Sequence, residues 1–279
     1  LRDTKPADMP AIDLSLGEPK HPTPQFILDT ITANLGGAGR YPPIKGGPGI
    51  REAIRDWLIK RYNLPPDSLT AEHSILPVTG TREALFAIAH CVIDPGREDP
   101  VVVTGNPFYQ IYEGAALFAG ARLEYVNTTA EGGLLPDFTD VSDEVWSRCQ
   151  ILYICTPNNP TGTSVSISDI EKLAVKCKSI NGLLIIDEAY AEFSSQPSAI
   201  TLIDKYPNLL VSRTMSKAFA FAGARVGYLA ANKQVIDALQ LVRLPYHLSA
   251  LTQAAAEVAL EFKEELLSEV RKQIGRAHV

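Results

Sequence analysis

Short aliphatic runs of strand length alternate with helix-length amphipathic segments along most of this chain, and few folds accommodate that alternation. The runs lie at 75–78, 101–104, 122–126, 151–155, 183–186, 209–212 and 226–230. Segments 81–93, 108–119, 168–178 and 233–243 carry apolar residues at helical spacing, as do 23–35 and 48–62 before them and 249–273 after them. A Gly- and Pro-rich loop spans 36–49. Strand–helix–strand order demands crossover connections, so an α/β fold with a mainly parallel mixed sheet flanked by helices is expected. Ligands of such sheets sit beyond the carboxyl ends of the strands, so the loops after Val78, Cys155, Ile186 and Ser212 should converge on one site.

Composition narrows the partners. With 279 residues, 46% of them hydrophobic, the chain can bury a large core. A net charge of −6 disfavours a nucleic-acid surface, which needs clustered Lys and Arg, and points to a small-molecule substrate. The apolar runs are too short to cross a bilayer, and the first ten residues lack a secretory pattern, so a cytoplasmic protein away from membranes is expected. Cys91, Cys149, Cys155 and Cys177 are widely spaced, which suggests buried thiols rather than disulfides or a metal site.

The most distinctive residues sit in the converging loops. SRTMSKAF at 212–219 is followed by AGARVGY at 222–228. IIDEAY at 185–190 delivers an acid from an apolar strand, and TPNNPTG at 156–162 holds an amide between prolines. VTGTREAL at 78–85 turns from strand into helix through a glycine, and NPFY occupies 106–109. Singly these have ordinary readings: a solvated Ser-Lys pair, a helix-capping acid, an Asn-Pro turn and a core tyrosine.

Together they resemble the motifs of fold-type I aminotransferases, which use pyridoxal 5'-phosphate. The resemblance implies that fold: a large cofactor-binding domain at 44–243, an arm and small-domain segment at 1–43, and the start of an incomplete small domain at 244–279. It makes Lys217 the residue that forms a Schiff base with the cofactor aldehyde. Asp187 would keep the ring nitrogen protonated, making the ring an electron sink, while Tyr190 and Asn159 would bond the ring hydroxyl oxygen. Thr214, Ser216 and Arg225 would bind the phosphate, helped by Gly80, Thr81 and Arg82 at a helix start. Tyr109 matches the aromatic that stacks on the ring. Tyr41 matches a tyrosine that reaches the phosphate of a neighbouring subunit, which implies a homodimer, and LGEP at 16–19 resembles an arm whose glycine lies near the substrate carboxylate.

The two halves resemble different enzymes. LSLGEPKHPTP, LPVTGTREALFA and NPFYQIYEGAALFAGA look like succinyldiaminopimelate aminotransferase of lysine biosynthesis. DEAYAEFSSQPSAITL, SRTMSKAFAFAGARVGYLAA and LVRLPYHLSALTQAAA look like histidinol-phosphate aminotransferase of histidine biosynthesis. A chimera joined near TPNNPTG is one expectation from this division. Either family moves an amino group to a keto acid, here expected to be 2-oxoglutarate. The alternatives are another fold-type I reaction, a lyase or an acyltransferase, and a fragment that holds the cofactor without turnover. Family members continue past position 279, where their substrate-binding arginines lie. Residues 274–279 could be encoded by a common sequencing adapter and are read as a non-native tail; a natural helix end capped by Gly275 is the alternative.

Overall fold

The computed structural model describes Gly17, Pro19 and residues 22–276, the side chains of the last four excepted; Leu16 and Glu18 of the arm and the final three residues lie outside the described part. Seven strands form one sheet: β1 (Ile75–Val78), β2 (Val101–Asn106), β3 (Arg122–Asn127), β4 (Cys149–Cys155), β5 (Leu183–Asp187), β6 (Leu209–Thr214) and β7 (Gly227–Ala231). Their order is β1-β7-β6-β5-β4-β2-β3. Only β7 runs against its neighbours, pairing antiparallel with both β1 and β6, so the sheet is mixed and mainly parallel as the alternation required.

Helices cover both faces, which is why the central strands read as continuous apolar runs. Side chains alternate across a strand, and each central strand therefore supplies two cores. Ile151, Tyr153, Ile185 and Leu210 meet Leu85, Ile88 and Tyr112 from α3 (Thr81–Val92) and α4 (Ile111–Phe118), together with Ile236 of α7 (Lys233–Val242). Leu152, Ile154, Leu184, Ile186 and Val211 meet Ile54 and Leu58 of α2 (Pro48–Tyr62) and Ile170 of α6 (Ile167–Ser179).

Helix α1 (Gln25–Ala33) is shorter than the periodicity predicts, and the small helix α5 (Asp143–Arg148) is an addition to it. The expected helix over 249–273 is two helices, α8 (Ala250–Glu261) and α9 (Lys263–Arg276), separated at Phe262. Phe262 packs against Phe26 of α1 with centroids 4.9 Å apart and the rings tilted by 42°, a tertiary contact that periodicity does not encode. Helix α9 runs through Gly275, which therefore does not end it. No helix among the described residues is long and apolar enough to cross a membrane.

In-register pairing places functional residues side by side: Cys155 opposite Asp187, Asp187 opposite Ser212, and Thr214 opposite Gly227. The last pair tolerates no side chain, because a Cβ on Gly227 would lie 2.6 Å from the Arg213 carbonyl oxygen and 3.0 Å from Thr81 Cγ2. Gly227→Ala is therefore expected to destabilise the protein by about 1–3 kcal/mol through overpacking. Denaturant unfolding checks this, and an unchanged midpoint would mean that the β6–β7 pairing has slack.

Candidate active site

Asp187 ends β5 on the same face as Leu183 and Ile185, so strand alternation turns it towards α4. There it is only 2% exposed and accepts hydrogen bonds from the Tyr112 hydroxyl at 2.8 Å and the Ala189 N–H at 3.2 Å. Neither donor is a cation. Burial accordingly raises its carboxyl from 3.8 to about 6, against the lowering pull of Tyr112 and Ala189, while the neighbouring Glu188 adds to the rise. Tyr112 keeps its phenol proton, since burial and the adjacent Asp187 push its pKa well above the ordinary value. Its ring lies parallel to Tyr153 with centroids 4.5 Å apart, and Tyr153 donates to the Leu85 carbonyl at 2.9 Å, so the donor to Asp187 is itself held in place.

A cavity of about 510 Å³ opens in front of Asp187, within the range of small-molecule sites. Lys217, Asp187, Tyr190, Asn159, Tyr109, Thr81, Arg82, Thr214, Ser216 and Arg225 all line it. Gly80 stands just behind: a Cβ there would fall 2.5 Å from Arg225 Nη2, so the glycine leaves space for that guanidinium. Tyr41 does not join this cavity. It is 82% exposed, and its ring packs against Tyr246 with centroids 4.5 Å apart.

The lining groups are organised in two sets. On one side Asn159 Nδ2 donates to the Tyr190 hydroxyl at 3.3 Å, and Lys217 Nζ lies 5.8 Å from the Tyr190 ring while donating to the Gly17 carbonyl. Burial raises the pKa of Tyr190. On the other side the Thr214 hydroxyl donates to Ser216 Oγ at 2.9 Å and accepts from the Ser216 N–H at 3.1 Å. Arg225 adopts a left-handed backbone, φ 53°, and its Nη2 reaches both oxygens of Glu83 at 3.0 and 3.1 Å. That pair is about half exposed, so it contributes little, and an anion can replace Glu83 on the guanidinium.

Hydroxyls, a guanidinium and the start of α3, whose first N–H groups have no intrahelical acceptor, make a fitting cradle for a phosphate. A buried acid without a cation fits a protonated ring nitrogen equally well. The residues present thus fit pyridoxal phosphate. A wider cavity of about 690 Å³ adjoins the far side of Asn159 and Tyr190, but Tyr190 is the one titratable side chain in its lining. The chemistry belongs to the first cavity.

Sequence reading missed Tyr112. Its place three residues after Tyr109, in the first turn of the apolar helical segment that follows it, is the signal that could have found it. It also missed the Glu83–Arg225 pair, which joins residues 142 positions apart and has no local signature.

The family model for aminotransferase class I and II matches residues 10–278. A histidinol-phosphate aminotransferase from Mycobacterium sp. (strain KMS) is 38% identical over 281 residues, covering 97% of this chain and 71% of that protein. The crystal structure of an aminotransferase from Neisseria meningitidis Z2491 superposes with a TM-score of 0.88 at 33% identity, over 96% of this chain and 70% of that one. An aspartate aminotransferase mutant from Thermus thermophilus gives a TM-score of 0.83 at 28% identity, over 93% and 68% of the two chains.

The raised pKa of Asp187 has a measurable consequence in cofactor-free protein. The folded state binds this proton more tightly than the unfolded chain, whose aspartate titrates near 3.8. The group's contribution to stability is therefore complete below about pH 4 and lost as pH rises through about 6. At pH 8 Asp187→Asn is expected to be more stable than wild type by about 2–3 kcal/mol, with the two equal near pH 4. Urea unfolding at both pH values measures this, and equal stabilities at pH 8 would show that Asp187 carries no unpaired charge.

Proposed function

This chain belongs to the aminotransferase class I and II family, and from that premise we propose that it transfers the amino group of histidinol phosphate to 2-oxoglutarate in histidine biosynthesis. The enzyme is a pyridoxal-phosphate-dependent transaminase. One observation carries the reading: the Lys217 amine and the buried Asp187 carboxyl open into a single cavity together with a phosphate cradle.

When bound, the cofactor supplies an electron-withdrawing ring that stabilises the carbanion formed at the substrate α carbon. The chain's residues do the rest. Lys217 would hold the cofactor through its aldehyde, and its free amine would take up the substrate α proton. Asp187 would accept the ring N–H and keep that proton in place, with Tyr112 fixing the carboxylate orientation. Tyr190 and Asn159 would bind the ring hydroxyl oxygen, and Tyr109 would pack against the ring. Thr214, Ser216, Arg225 and the start of α3 at Gly80, Thr81 and Arg82 hold the phosphate. Tyr41, exposed and not among the residues lining the cavity, would serve the site of a second copy, making the working unit a homodimer in the cytoplasm.

Histidinol phosphate is favoured as donor because similarity to histidinol-phosphate aminotransferases extends over 97% of the chain and so through both halves. N-succinyl-diaminopimelate is the second donor to consider, on the motifs before residue 150. The purified chain with pyridoxal phosphate is expected to show a visible band that Lys217→Ala abolishes, with transamination falling by more than about a hundredfold. Addition of histidinol phosphate should bleach the band, and 2-oxoglutarate should restore it. Bleaching by N-succinyl-diaminopimelate alone would reassign the donor. Keto product formed catalytically without any acceptor would indicate a lyase.

A further inference from the structure

On the sheet face opposite Asp187 and Thr214 lies a buried ionic cluster that the proposed chemistry does not use. Arg213, between Ser212 and Thr214 on β6, is 1% exposed. Its Nη1 donates to Glu188 Oε2 at 2.6 Å and to the Tyr62 hydroxyl at 2.7 Å, and its Nη2 donates to Glu192 Oε1. Glu188 also accepts from the Ser198 hydroxyl at 2.6 Å and the Ala199 N–H at 2.7 Å. One guanidinium therefore faces two carboxyl groups, and Glu192 Oε2 is buried with no hydrogen-bond partner among the described residues.

The members are neighbours of the site in sequence. Glu188 follows Asp187, Glu192 stands two residues after Tyr190, and Arg213 opens the run Thr214-Met215-Ser216-Lys217. Alternation sends Asp187 and Thr214 to the cavity while Glu188 and Arg213 turn behind the sheet. Joining the two segments through a planar two-pronged cation fixes both their separation and their rotation. Breaking such a buried pair leaves an uncompensated charge, so the arrangement has little freedom.

We infer that Arg213, Glu188 and Glu192 form a positioning cluster that aligns the Asp187–Tyr190 segment with Lys217. Its surplus carboxylate favours the protonated form of the lysine-bound cofactor. The inference rests on the cofactor reading given above. The other titratable groups facing the cluster are Tyr62 from α2 and Tyr228 from β7; α9 contributes Leu266, Leu267 and Val270 to the same core. Among the described residues, those lining the cavity with Lys217 are Asp187, Tyr190, Tyr109, Cys155, Arg82, Glu83 and Arg225.

The test is a pH titration of the visible band in the full chain loaded with pyridoxal phosphate, alongside thermal unfolding. Glu192→Gln removes one negative charge while retaining an oxygen for Arg213, and should lower the titration midpoint by roughly half to one pH unit, as for unit charges on the order of 10 Å apart in an effective dielectric of about 20 or more. Arg213→Met removes a positive charge and should raise the midpoint. If that variant does not fold, the Glu192→Gln shift alone decides. Glu131→Gln, at an exposed site, should leave the midpoint unchanged. A midpoint in Glu192→Gln equal to that of wild type, with only the melting temperature lowered, would reduce the cluster to a structural role and overturn the inference. A wild-type protein with no visible band would instead overturn the cofactor reading, and this inference with it.

Discussion

A carboxylate buried without a cation is costly, and the structure around Asp187 is organised by that cost. Its two donors, a tyrosine hydroxyl and a backbone N–H, are neutral, and its pKa rises to about 6 instead of falling as it would beside an arginine. Such a group binds a cationic partner strongly when one arrives. The remaining features of the cavity determine which cation that is: a primary amine at Lys217, a hydroxyl–amide pair at Tyr190 and Asn159, and an anion cradle between Thr214 and Arg225. A flat ring with a basic nitrogen, an aldehyde, a hydroxyl and a phosphate satisfies all of them together.

The parallel sheet makes this convergence possible. Parallel strands end at one edge, and in-register pairing sets Cys155, Asp187 and Ser212 next to each other although they lie far apart in the chain. Period-two alternation then divides each strand end between two tasks. Asp187 and Thr214 face the cavity, and their sequence neighbours Glu188 and Arg213 face a buried ionic cluster behind it. Side chains on one face can thus be supported from the other without occupying the space a ligand needs. The antiparallel strand β7 completes the site by bringing Gly227 against Thr214, where the missing Cβ permits close backbone approach.

The charged groups of the cavity are held by contacts that a ligand can exchange or add to. Arg225 is held by Glu83 through a half-exposed contact, so an incoming phosphate meets a guanidinium whose existing partner is easily displaced. Asp187 is held by neutral donors and keeps its affinity for a positive ring nitrogen. Both arrangements orient the site while leaving the strong interactions to be made with a ligand.

Most of the architecture was legible in the residues themselves, because strand alternation and helical periodicity are local. The bounds of β1 and α2 coincide with their apolar patterns, Asp187 closes β5, and the loops carrying Asn159 and Lys217 follow directly from strand ends. Motif resemblance singled out eleven of the residues that line the cavity, Gly17 of the arm included, since cofactor chemistry constrains residue type position by position. Tertiary structure alone decided the reversal of β7, the break at Phe262, the Tyr112 hydrogen bond to Asp187 and the four-member contact of Arg213 with Glu188, Glu192 and Tyr62. These depend on which distant side chains meet in three dimensions. A one-dimensional pattern records the face on which a residue lies, not the partner it finds there.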